Sequence, residues 1–68
     1  MSIPEKIDEL ERRFKKVGFD ETEPAKKFIA EARNMYAKYI ETNSEYADDA
    51  SKTLNESLDK WLSMIEEE

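Results

Sequence analysis

The side chains in this chain that could do chemistry are carboxylates, amines, guanidinium groups and phenols, because its 68 residues include no cysteine and no histidine. Thiolate nucleophiles, imidazole bases, disulfides and Cys/His zinc sites are excluded with them. Paired carboxylates remain, but acid–base catalysis by such a pair requires one member to be buried and shifted in pKa. Every Asp and Glu falls outside the apolar stripes of the chain's three helical patterns. No catalytic, cofactor-binding or metal-binding residue is therefore assigned, and the chain is expected not to be an enzyme. The acidic run from Asp20 to Glu23 does not read as a calcium loop either. An EF-hand needs oxygens at alternate positions over about twelve residues, a central glycine and a closing glutamate. Here Gly18, the only glycine, precedes the acids.

Charge is unevenly placed. Residues 1–44 hold nine acids and nine bases, whereas residues 45–68 hold eight acids against Lys52 and Lys60, so the whole net charge of −6 falls on the third segment. The basic cluster Arg12-Arg13-Phe14-Lys15-Lys16 has the composition of a nucleic-acid contact, yet a duplex would also meet that acidic field, and neither later segment carries a basic, amide-rich outer face. Direct nucleic-acid binding is not expected. The acids admit the opposite reading, in which Asp48, Asp49, Glu56 and Asp59 imitate phosphates and occupy the basic site of a nucleic-acid-binding protein. Against this stands the ordinary use of surface charge, which is solubility.

Apolar residues at stripe edges are the other candidates. Tyr46 and Met64 lie about 100° off the core-facing centre of the third helical pattern, with Thr53 and Ser57 in the same column, and Met35 and Ile40 flank the stripe of the second, which also carries Tyr36. Methionine and tyrosine recur at recognition surfaces. The candidate partner-binding residues are thus Met35, Tyr36, Tyr46, Asp48, Asp49, Glu56, Asp59 and Met64.

Three amphipathic segments must position these residues. In the first, Ile3, Ile7, Leu10, Phe14 and Val17 repeat at four and three, a narrow seam. Ser2 and Glu5 have the spacing of a capping box, Pro4 suits a first turn, and Gly18 with Phe19 and Phe14 has the pattern of a Schellman ending. Asp8 with Arg12, Glu9 with Arg13, and Glu11 with Lys15 are i,i+4 pairs in the favourable order. The second segment, opened by Thr22 or Asp20, carries Ala25, Phe28, Ile29, Ala32, Met35, Tyr36 and Tyr39 on a stripe wide enough for two neighbours. Thr42-Asn43-Ser44 breaks it, and Thr42 or Ser44 caps the third segment. That segment carries Ala47, Ala50, Leu54, Leu58, Trp61, Leu62 and Ile65, small residues first and large ones last.

These features predict an all-α, single-domain antiparallel (up-down-up) three-helix bundle with helices at about 3–17, 23–41 and 45–65. Val17, Phe28 and Trp61 are expected at the wide end, with Trp61 the largest contributor. Glu66, Glu67 and Glu68 are expected to meet the basic cluster at the same pole. No basic leader precedes an apolar run, and no segment approaches the roughly 18 apolar residues of a membrane span. The sequence reads as a cytoplasmic, monomeric protein-interaction or adaptor module without cofactors or membrane contact. An acidic inhibitor that mimics nucleic acid, and a natural or engineered scaffold without a ligand, are the alternatives.

Overall fold

A computed structural model describes residues 2–65 of the chain. Among these it forms three α-helices, α1 (Ile3–Lys16), α2 (Glu23–Met35) and α3 (Ala47–Met64), with a five-residue π-helical turn, Tyr36–Ile40, extending α2. The result is the expected all-α three-helix bundle. Side-chain pairs fix its directions. Lys6 reaches Asn55 and Asp59, and Arg13 reaches Leu62 and Ile65, so α1 and α3 run in parallel. Ala25 and Ile29 near the start of α2 line one depression with Phe14 and Lys15, while Arg33 near its end reaches Asp8 and Glu11, so α2 runs against α1.

The ends of α1 obey local chemistry. The Glu5 amide donates to Ser2 Oγ at 3.3 Å and the Ser2 amide to Glu5 Oε1 at 3.4 Å, closing the capping box. At the other end Gly18 has φ 76°, its amide donates to Lys15 O at 3.2 Å, and the Phe19 amide donates to Phe14 O at 2.8 Å. These are the two bonds of a Schellman motif, and they lay Phe19 on Phe14 with ring centroids 5.3 Å apart. A Cβ on Gly18 would meet no atom within 4 Å. Gly18→Ala should therefore cost only the left-handed backbone penalty, about 1 kcal/mol, measured as a shift in urea midpoint at constant slope.

Val17, expected in the α1 seam, is instead 59 % exposed. The helix ends one residue earlier, and as its C-cap Val17 leaves helical geometry (φ −94°, ψ 2°). Thr22 is the residue before α2, as expected, but its hydroxyl makes no cap. It donates to Phe19 O at 2.7 Å and is used in closing the turn.

The second helix is not α-helical to residue 41. From Tyr36 the backbone widens, and the Glu41 amide donates five residues back to Tyr36 O at 2.8 Å. The wider turn keeps Tyr36 and Ile40 on the core, while Tyr39 packs on Tyr46 instead. Asn43 takes the left-handed conformation (φ 54°) that ends this arm. Ser44 Oγ donates to Tyr39 O and accepts from the Tyr46 amide at 3.2 Å, holding the entry to α3, which starts at Ala47 rather than at 45.

The core consists of Ile7, Leu10, Phe14, Ala25, Ile29, Ala32, Leu54 and Leu58, and no polar or charged residue is buried among the described residues. Phe14 is the most deeply buried ring of the wide end, and Trp61, expected as its largest contributor, joins the rings there, with Phe14, Phe19 and Phe28 at 5.4, 6.1 and 5.6 Å. Trp61 is partly exposed and packs edge-on to Phe14. The meeting of Glu66, Glu67 and Glu68 with the basic cluster falls outside the described residues.

Candidate functional site

Where the π turn passes the first two turns of α3, the bundle surface opens into a groove of about 520 Å³ lined by Met35, Tyr39, Tyr46, Asp49, Ala50 and Thr53. The floor is small because α3 begins with alanines, and a helix with Ala50 at the contact leaves space that a leucine would fill. The walls are aromatic. Tyr39 and Tyr46 stand nearly perpendicular, 85° between ring planes and 6.2 Å between centroids. Lys38 Nζ sits 5.4 Å from the centre of the Tyr39 ring, within cation–π range.

Three independent devices build this geometry. The π turn swings Tyr39 off the core, Ser44 fixes the loop, and helical spacing puts Tyr46, Asp49, Ala50 and Thr53 in one column. Tyr46 is 57 % exposed, a large aromatic surface left uncovered beside a groove.

Of the candidate residues, Met35, Tyr46 and Asp49 are brought together here. Tyr36 is packed against the core and does not line the groove. Asp48 and Glu56 are exposed and outside it. Asp59 accepts from Lys6 Nζ at 2.9 Å, so a cation from α1 stands within the row of acids that phosphate mimicry would use.

Met64 is 65 % exposed at the other end of α3, about 27 Å from Tyr46 at roughly 1.5 Å rise per residue. It belongs to a second apolar depression of about 280 Å³ with Val17, Phe19, Trp61 and Ile65. The two residues at the edge of α3 therefore belong to separate surfaces. Periodicity alone assigns Tyr39 and Ala50 to the core and misses their place in the groove. A signal for it lies in the hairpin itself, since an antiparallel turn centred between residues 42 and 43 sets residue 39 opposite residue 46.

Ion pairs elsewhere join helices in some places and lie within α1 in others. Arg33 bridges Asp8 and Glu11 at 3.0 and 3.1 Å, and Glu9 accepts from both Arg12 and Arg13. Hydrogen bonds from Arg12 and then Arg13 hold the Glu9 carboxyl below its ordinary value of 4.5. Among the described residues no group of three acidic side chains is placed to hold a metal ion, and no helix is long and apolar enough to cross a membrane. No protein family, no curated protein and no solved structure matches this chain. The groove's chemistry has to be read from its own residues.

Proposed function

We propose that this chain is a non-catalytic protein-interaction module and that its contact face is the groove between the π turn and the start of α3. The exposed Tyr46 beside Tyr39 and Met35 carries this reading, because large amphipathic side chains next to a concave apolar surface are what interface centres are made of. The groove is shallow and open, which suits a side chain or a short helix of another protein better than a small molecule that needs enclosure.

The test uses the immobilised chain as bait, with Tyr46→Ala, Met35→Ala and Met64→Ser compared against the parent. The expected result is a set of proteins retained by the parent and by Met64→Ser but lost, by about tenfold or more, with Tyr46→Ala or Met35→Ala. Equal retention by all four baits overturns the reading, because the contact face then lies elsewhere, and retention by none of them leaves a scaffold without a ligand. Loss only with Met64→Ser moves the interface to the opposite pole.

A further inference from the structure

We infer that the groove receives a basic amphipathic segment of a partner protein, which lays an apolar side chain on Met35 and Ala50 and sets an arginine between the Tyr46 ring and the Asp49 carboxylate. This rests on the proposed role of the groove as a contact face and specifies the partner's chemistry.

Charge complementarity favours it first. From Lys38 to Glu56 the chain places five acids, Glu41, Glu45, Asp48, Asp49 and Glu56, against Lys38 and Lys52. A partner that brings its own carboxylates to this rim meets like charge, and one that brings cations is drawn to it. The aromatic wall comes second. Lys38 Nζ already lies over the Tyr39 ring, so one of these two phenols holds a cation from within the chain, and the exposed Tyr46 ring offers a second surface of the same kind. A guanidinium is planar, stacks on an aromatic face and bonds a carboxylate with two parallel N–H groups, so arginine fits a tyrosine beside an aspartate better than lysine does.

Dimensions come third. The column from Tyr46 to Thr53 spans about 10 Å, two helical turns, which matches the anchor spacing of a short amphipathic helix laid in a groove.

Asp48 and Asp49 also have a local role, because acids in a first turn stabilise their own helix dipole. Both serve α3 in that way, but only Asp49 lines the groove. Neutralising each in turn therefore separates helix stabilisation from recognition.

The full chain, labelled with ¹⁵N, is titrated with a blocked amphipathic helix of leucine and arginine, and with the same peptide carrying citrulline, which keeps the shape of arginine and removes its charge. Amide shifts should concentrate at Met35, Tyr39, Tyr46, Asp49, Ala50 and Thr53. Affinity should fall about tenfold on Asp49→Asn or on the change to citrulline, by less than about twofold on Asp48→Asn, and steeply between roughly 0.05 and 0.5 M salt. Shifts centred on Met64 and Trp61, equal losses from Asp48→Asn and Asp49→Asn, or undiminished binding of the citrulline peptide would each overturn the inference. If Tyr46→Ala abolishes capture of natural partners while Asp49→Asn leaves it intact, the interaction reading stands and this one falls.

Discussion

Phe14→Ala is expected to leave the chain largely unfolded at room temperature. Phe14 is 1 % exposed and holds three elements at once: it is buried in the α1 seam, carries Phe19 from the Schellman turn at 5.3 Å, and receives the edge of Trp61 from α3 at 5.4 Å. Truncation removes the transfer free energy of the ring and leaves a void that the remaining aromatics must fill or tolerate, a cost of about 3–5 kcal/mol. A single-core domain of this size has roughly that much stability in total. Far-ultraviolet circular dichroism with urea titration reads the result directly. Val17→Ala, at the same pole but 59 % exposed, should change stability by no more than about 0.5 kcal/mol. A Phe14→Ala protein that unfolds cooperatively with a loss below about 1.5 kcal/mol would show that the aromatic cluster is not the centre of this core.

That cluster is partly legible in the sequence, and the reason is local. Ser2 with Glu5, and Gly18 with Phe14 and Phe19, lie within one or two turns of each other, so backbone chemistry alone brings them together. The π turn is not legible. Tyr36-Ala37-Lys38-Tyr39-Ile40 contains no glycine or proline to mark a break, and as an α-helix it continues the stripe of α2. Tertiary packing and the loop held by Ser44 decide otherwise, and the groove depends on that decision. Ion pairs divide the same way. Glu9 with Arg13 forms within α1 as the i,i+4 spacing suggests, while Asp8 and Glu11 are turned to Arg33 on α2, a pairing that no spacing within α1 reveals. The candidate interface is legible as residue types, Met35, Tyr46 and Asp49, but not as a surface, because Tyr39 and Ala50 complete it only after the hairpin closes.

Arg13→Met should cost about 1.5–3 kcal/mol and fray the end of α3, a helix in which residue 13 does not lie. The α3 helix has no basic residue in its own last turn to face its unpaired carbonyls. Arg13 supplies that charge from α1: one terminal nitrogen donates to Leu62 O at 2.8 Å and to Ile65 O at 3.3 Å, and its Nε donates to Glu9 at 2.8 Å. Methionine keeps much of the stem packing and loses all three bonds, so the cost belongs to the guanidinium. Arg13→Lys keeps the charge without the planar fork and should recover only part of the loss. Hydrogen exchange separates this from a general weakening. The Ile65 amide, which bonds Trp61 O at 2.9 Å, should lose protection before the amides of α2 do.

The same substitution should change the acid limb of stability. Glu9 is held below 4.5 first by Arg12 and then by Arg13, so its ionised form favours folding; that contribution is present above pH 4.5 and is lost as pH falls through the lower folded value. With Arg13 gone and Arg12 remaining, Glu9 moves part of the way back toward 4.5, and the fall in stability with acid becomes shallower. If Arg13→Met destabilises every helix equally and leaves the acid limb unchanged, Arg13 acts through packing of its stem alone, and the link from the Glu9 carboxylate through Arg13 to the α3 carbonyls is not what holds the first and third helices in register.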